Sequence, residues 1–226
     1  MASPSKPSER PAVRHDLVFV SPAGWRAMLV TRGDLAADAL IARWPDEGWP
    51  TIRRRALPGE PVGVALGLPL PPSAGKKRVS FLLQTDDILA IARPPLLNAV
   101  RASAPRVWWP TLDRLGELAL RHSVQARVFG SLAWQTLTGL DYLTALSDLD
   151  LLLDVRQDTN LGRLTADLAA IEAESPMRLD GELMRDDGAA VNWREVHAGA
   201  GEVLVKHLNG IGLLDRNLFI SGRTIS

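Results

Sequence analysis

Residues 126–154, and above all the run Ser147-Asp148-Leu149-Asp150-Leu151-Leu152, constrain the fold more than any other part of this chain. The stretch reads as strand, Gly130-Ser131 turn, short helix, loop and second strand. Asp148 and Asp150 stand two positions apart at the head of the apolar second strand. Side chains at i and i+2 of a strand share a face, roughly 6–7 Å apart along it. Two carboxylates so placed repel each other unless a cation lies between them. Divalent metal ions used in phosphoryl chemistry need oxygen ligands in this arrangement.

Phosphoryl and nucleotidyl transfer ask little covalent help of a protein; they need charge neutralisation and in-line positioning. Two metal ions about 3.5–4 Å apart can bind the attacking and leaving oxygens, and two carboxylates on one strand face can bridge such a pair. A third carboxylate from a neighbouring strand usually completes the site. Asp180, on the next strand expected after an intervening helix, is the candidate, and Glu182 on the same face is the alternative. Gly130 lets backbone approach a phosphate closely, while the start of the following helix and the Ser131 hydroxyl offer donors to it. A leaving pyrophosphate suits that place. Lys206, within an apolar strand, either binds phosphate or ends the strand.

Alone, Asp-x-Asp is commonly a solvated strand end, and a Gly-Ser turn says less. The combination is far more specific, with Asp148 falling 17 residues after Ser131 across one short helix. His122, His197 and His207 lack metal-ligand spacing and read as structural. There is no Gly-x-Gly-x-x-Gly or Walker-type loop, and no Ser-His-Asp arrangement can be argued from spacing.

Composition removes several classes. Lys plus Arg number 26 and so do Asp plus Glu, so no global field draws the chain to nucleic acid. The absence of cysteine excludes a disulfide, a thiolate nucleophile and a thiolate metal site, and fits a reducing compartment. The opening Met-Ala-Ser-Pro-Ser-Lys-Pro has no apolar leader core, and no run approaches the roughly 18 apolar residues of a membrane span. The expectation is a cytoplasmic protein that engages neither nucleic acid nor membrane. Seven tryptophans against one tyrosine point to core or interface anchors.

Along the chain, residues 1–13 are rich in Pro and Ser and read as a disordered arm. Asp16 to Val20 reads as a strand, and residues 22–45 as one or two short helices. Three strands are expected at Thr51 to Ala56, Val62 to Leu68 and Arg78 to Gln84. Thr85 then caps an expected helix that ends before Pro94. Four prolines within 94–110 suggest a domain boundary, set at 104/105. Beyond it, helix Thr111 to His122, helix Leu161 to Glu174, and strands Met177 to Met184, Ala190 to Trp193 and Glu202 to His207 complete an alternating pattern. The tail from Arg216 carries no motif. The expected fold class is α/β (α+β), with a catalytic mixed sheet over 105–226 preceded by a smaller α+β domain over 14–104.

The Phe129-Gly130-Ser131 and Asp148-Leu149-Asp150 pattern resembles the nucleotidyltransferase (polymerase beta-like) superfamily. More narrowly, Gly130-Ser131 through Trp134-Gln135, Thr138-Gly139, Tyr142 and Ser147 to Asp150 resembles the phosphoribosyl-dephospho-CoA transferases of malonate decarboxylase. Arg14-His15-Asp16-Leu17 and Asp180-Gly181-Glu182 share that likeness. The resemblance implies a 2′-(5″-triphosphoribosyl)-3′-dephospho-CoA donor, a serine acceptor on the acyl-carrier subunit of malonate decarboxylase, and pyrophosphate as the leaving group. It implies Mg²⁺ or Mn²⁺ on Asp148 and Asp150, with Asp180 as third carboxylate. The basic runs Arg53–Arg55 and Lys76–Arg78 could meet an acidic carrier surface. The alternative enzyme is a nucleotidyltransferase with an ordinary NTP donor.

Overall fold

A computed structural model describes residues 13–208 and 210–221. The arm expected over 1–13 lies outside them except for Val13, as do the last five residues of the tail. The chain divides into two compact units, one ending at Pro94 and the other beginning at Pro95.

The first unit opens with β1 (Leu17–Val20), followed by helices α1 (Pro22–Thr31), α2 (Gly33–Ala36) and α3 (Ala39–Arg43). Strands β2 (Thr51–Arg53), β3 (Val64–Pro69), β4 (Arg78–Leu83) and β5 (Ile88–Ala92) complete an antiparallel sheet in the order β4-β3-β2-β1-β5. Ser21 starts α1 by accepting from the Gly24 N–H at 3.0 Å, with Pro22 in the first turn where its missing N–H costs nothing. Trp25 and Met28 then face the core, and the Trp25 ring lies 5.7 Å from that of Phe81. Trp44 is fully buried and donates from Nε1 to the Pro50 carbonyl at 3.0 Å.

The helix expected from Thr85 is not there. Thr85–Asp87 makes one 3₁₀ turn, and Ile88–Ala92 is a strand paired with β1 through Leu17↔Ala92, Val18↔Ile91 and Phe19↔Ala90. Two features override the helix signal. Asp87 folds back to accept from the Gln84 N–H at 3.1 Å, and its carbonyl accepts from the Ser21 N–H at 2.7 Å. The apolar run that follows is short enough to serve as a strand, and it covers the second edge of β1.

The second unit contains α4 (Leu97–Val100), α5 (Trp109–Arg121), β6 (Gln125–Val128), α6 (Gly130–Thr138), β7 (Leu149–Asp154) and α7 (Leu161–Ala173). There follow β8 (Leu179–Met184), β9 (Ala190–Asn192), α8 (Trp193–His197), β10 (Glu202–Lys206), β11 (Ile211–Asp215) and α9 (Arg216–Ile220). The sheet runs β11-β10-β9-β8-β7-β6. Only β7 and β8 pair in parallel, and α7 supplies the crossover that such a pair requires. The unit begins ten residues ahead of the boundary set at 104/105, because Leu97, Val100 and Ala104 are buried in the same core as Leu112 and Leu115.

One face of this sheet is apolar. Leu149, Leu151, Leu153, Leu179, Leu183, Val191, Val203 and Val205 are buried there in one core with Leu112, Leu115 and Leu118 of α5 and Leu164, Leu168 and Ile171 of α7. Gly181 belongs to that face because Trp193 lies over it: a Cβ at 181 would stand 2.8 Å from Trp193 Cδ1. The Trp193 Nε1 donates to the Leu179 carbonyl at 3.1 Å, which satisfies the indole's polar end. Strand alternation sends Asp148, Asp150, Asp180, Glu182, Asn192 and Lys206 to the opposite face.

Candidate metal and phosphate site

Asp150 and Asp180 are register partners of the parallel β7–β8 pair, so backbone pairing alone sets their side chains next to each other. Asp148 precedes β7 by one residue, and the Leu149 N–H bonded to the Arg178 carbonyl at 2.9 Å fastens that entry to the start of β8. One carboxylate oxygen from each of Asp148, Asp150 and Asp180 lies within 4.8 Å of the other two, and all three residues are half-buried. Such a set of hard, anionic oxygens fits Mg²⁺ or Mn²⁺ by ligand chemistry. Asp148, Asp150 and Asp180 are the residues that would hold the ion.

Gly130 occupies the other side of Asp150. Its φ is +64°, and a Cβ built there would fall 1.7 Å from Asp150 Oδ2. Only glycine satisfies both the left-handed backbone and the close approach. The Phe129 N–H donates to the Asp150 carbonyl at 3.1 Å, locking the turn to β7. Helix α6 therefore starts against a carboxylate, and the Phe129 side chain at its N-cap makes no capping hydrogen bond. Ser131 follows Gly130 in the first turn of α6, whose leading amides have no intrahelical acceptor.

The loop from α6 to Asp148 is braced. Gly139, at φ +72°, ends α6 in the left-handed region. Gln135 Oε1 accepts from the Tyr142 and Leu143 N–H groups at 3.1 Å each, and its Nε2 donates to the Ser103 carbonyl at 2.8 Å. Burial pushes the Tyr142 hydroxyl up, which keeps it protonated. Near Asp148, Ser147 Oγ accepts from the Thr144 N–H at 2.9 Å.

Glu182 is on the same strand face but is engaged elsewhere. It is buried, and its Oε1 accepts from Lys206 Nζ at 3.1 Å. Lys206 thus sits on the carboxylate-bearing face, tied to Glu182. Asp180 instead meets Asn192, whose Nδ2 donates to Asp180 Oδ1 at 3.0 Å. Asn192 is not singled out by the sequence pattern; the one signal for it is the residue type, since Asn is favoured as a helix N-cap. Glu172 and Arg194 carry no such signal at all. They form a double hydrogen-bonded ion pair that also holds both backbone polar groups of Leu179, through Glu172 Oε1 at 2.7 Å and Arg194 Nη2 at 3.0 Å. The Arg194 guanidinium holds the Glu172 carboxyl below the usual carboxylate range.

Comparison with known proteins agrees with this division. Residues 13–94 match the family model for the phosphoribosyl-dephospho-CoA transferase MdcG N-terminal domain, and residues 95–217 match its C-terminal domain. A curated phosphoribosyl-dephospho-CoA transferase of Bradyrhizobium diazoefficiens is 68% identical over 224 residues, covering 99% of each chain. One from Xanthomonas euvesicatoria pv. vesicatoria is 40% identical over 91% of this chain and 95% of its own. Another from Xanthomonas axonopodis pv. citri is 37% identical over 94% of this chain and 99% of its own. No solved structure matches. The chain belongs to the phosphoribosyl-dephospho-CoA transferase family, and it is an enzyme of the transferase class.

Proposed function

We propose that this protein transfers the 2′-(5″-phosphoribosyl)-3′-dephospho-CoA group from its triphosphate donor to a serine of the acyl-carrier subunit of malonate decarboxylase, in the cytoplasm, with release of pyrophosphate. The observation that carries the chemistry is the convergence of Asp148, Asp150 and Asp180 within 4.8 Å, directly beside the start of α6. The names of the relatives and the likeness of Gly130-Ser131 and Asp148-Leu149-Asp150 to that family support the substrate.

In this reading Asp148, Asp150 and Asp180 hold Mg²⁺ or Mn²⁺, which when bound supplies charge neutralisation at the phosphates and a more acidic serine hydroxyl. The protein's own groups do the positioning. The α6 amides and Ser131 Oγ bind the phosphate oxygens that leave as pyrophosphate, and Gly130 keeps that surface free of side chain. The hydroxyl of the incoming serine approaches from the carboxylate side, so that attack and departure are in line. Its proton passes to a carboxylate oxygen of the cluster or to water there. Lys206, 29% exposed while paired with Glu182, adds positive charge to the same face.

The carrier is proposed to dock on Lys76, Lys77 and Arg78, which are exposed at the turn into β4. Arg53 and Arg54 are less available. Arg53 donates to the Ala65 carbonyl at 2.8 Å, and Arg54 pairs through both terminal nitrogens with Glu60.

Pyrophosphate release tests the donor. With carrier and Mg²⁺ present, the triphosphoribosyl donor should give stoichiometric pyrophosphate and ATP none. Release from ATP with adenylylated carrier, and none from the triphosphoribosyl donor, would replace this reading with an ordinary NTP-dependent one.

A further inference from the structure

We infer that Asn192 is a positioning residue of the transfer reaction: it clamps one oxygen of Asp180 so that the other is presented to the metal-binding cluster. This rests on the reading of Asp148, Asp150 and Asp180 as the metal site. The geometry starts from β-sheet register. Glu182 and Asn192 are direct partners in the antiparallel β8–β9 pair, and Asp180 lies one diagonal step away on the same face, within side-chain reach. Asn192 Nδ2 donates to Asp180 Oδ1 at 3.0 Å.

The orientation of the amide is dictated from both ends. Asn192 is the last residue of β9 and the N-cap of α8, and its Oδ1 accepts from the Arg194 N–H at 3.0 Å. A backbone N–H can only donate and an ionised carboxylate can only accept. Turning the amide over would set donor against donor at Arg194 and oxygen against oxygen at Asp180. The cap therefore selects the rotamer that serves the carboxylate.

The platform under Asn192 is held as firmly. Arg194 is bound to Glu172 and donates to the Leu179 carbonyl at 3.0 Å, one residue before Asp180. The guanidinium also stacks 4.5 Å from the Trp193 ring, and the Trp193 Nε1 reaches the same Leu179 carbonyl at 3.1 Å. The start of α8 and the entry of β8 are thus one connected unit, and Asn192 and Asp180 cannot drift apart without breaking it. Carboxylate ligands of metals are commonly fixed by outer hydrogen bonds of this kind, whose loss costs about 10–100-fold in metal affinity or activity.

Asn192→Ser separates the two jobs of the side chain. A serine caps α8 well, but its hydroxyl is too short to reach Asp180. The measurement is Mn²⁺ binding to the full chain by calorimetry, without donor or carrier, alongside thermal unfolding. Asn192→Ser should keep the thermal midpoint of the wild type and bind Mn²⁺ about tenfold more weakly or worse. Asn192→Ala should lose the same affinity and also unfold at a lower temperature. Asp180→Ala, Asp148→Asn and Asp150→Asn set the reference for a broken site. If they abolish Mn²⁺ binding while Asn192→Ser titrates like the wild type, Asn192 is only a helix cap and the inference is overturned. If those three variants also bind Mn²⁺ normally, the metal-site reading itself fails.

Discussion

Gly130→Ala is the perturbation that the site should tolerate least for its size. The backbone at 130 has φ +64°, and forcing an L-residue into the left-handed region costs about 1–2 kcal/mol. Stiffening of the unfolded chain returns about 0.4–1 kcal/mol, leaving a net loss of about 1 kcal/mol. For a chain of this size that is a fall of roughly 2–4 °C in thermal midpoint. Space is the larger problem. The new methyl would lie 1.7 Å from Asp150 Oδ2, 2.4 Å from Cγ and 3.0 Å from Cβ. Rotation of the Asp150 side chain relieves the first two contacts. Separating the backbones instead would break the 3.1 Å bond from the Phe129 N–H to the Asp150 carbonyl. The carboxylate therefore swings out of the cluster, and one of three ligands is lost. A direct ligand is worth more than an outer-shell partner, so Mn²⁺ affinity should fall by at least about a hundredfold. Gly139→Ala is the control, because φ there is +72° with no atom within 4 Å of the added Cβ. It should lose similar stability and keep Mn²⁺ binding. Calorimetric titration with Mn²⁺ and a thermal melt read both quantities, and a Gly130→Ala protein that binds Mn²⁺ as Gly139→Ala does would refute the reasoning.

Asp148→Ala, Asp150→Ala and Asp180→Ala should each abolish transfer while the fold survives, with slight stabilisation where repulsion is relieved; Glu182→Ala, outside the cluster, should keep more turnover than Asp180→Ala, as single-turnover assays and melts can compare. Acid stability should depend on Glu172. Its folded pKa lies below the ordinary value of 4.5, so its contribution is present above that value and is lost as pH falls through the folded pKa. Melts between about pH 6 and pH 3 should show a smaller acid loss for Glu172→Gln than for the wild type, and parallel curves would contradict the assignment. Charge reversal at Lys76, Lys77 and Arg78 should raise the KM for the carrier in a salt-dependent way, and an unchanged KM would dispose of that docking surface.

Much of this fold can be read in the residues because local and tertiary preferences agree. In β7, Leu149, Leu151 and Leu153 need burial while Asp150 and Asp154 need the opposite face, and the alternation of a strand serves both. Asp180 was within reach of the same logic, since one crossover helix leads from β7 to a parallel neighbour whose register sets Asp180 beside Asp150. Ile88–Ala92 defeats such reading, as a short apolar run after a good cap is neutral between helix and strand until β1 offers an open edge. Ile211–Asp215, for which the residues set no expectation, forms β11 through pairing with β10. Asn192 and the Glu172–Arg194 pair are invisible for another reason. Their roles arise from contacts across strands and helices, with Asn192 standing 12 positions from Asp180 and Arg194 22 positions from Glu172.

The most direct test of the account is intact-mass measurement of the malonate decarboxylase carrier subunit after incubation with this protein, the triphosphoribosyl donor and Mg²⁺. The account predicts one added phosphoribosyl-dephospho-CoA group on a single serine, and none with EDTA or with the Asp150→Ala protein. An unmodified carrier under conditions where the protein is folded and binds Mn²⁺, or modification that persists in Asp150→Ala, would contradict it.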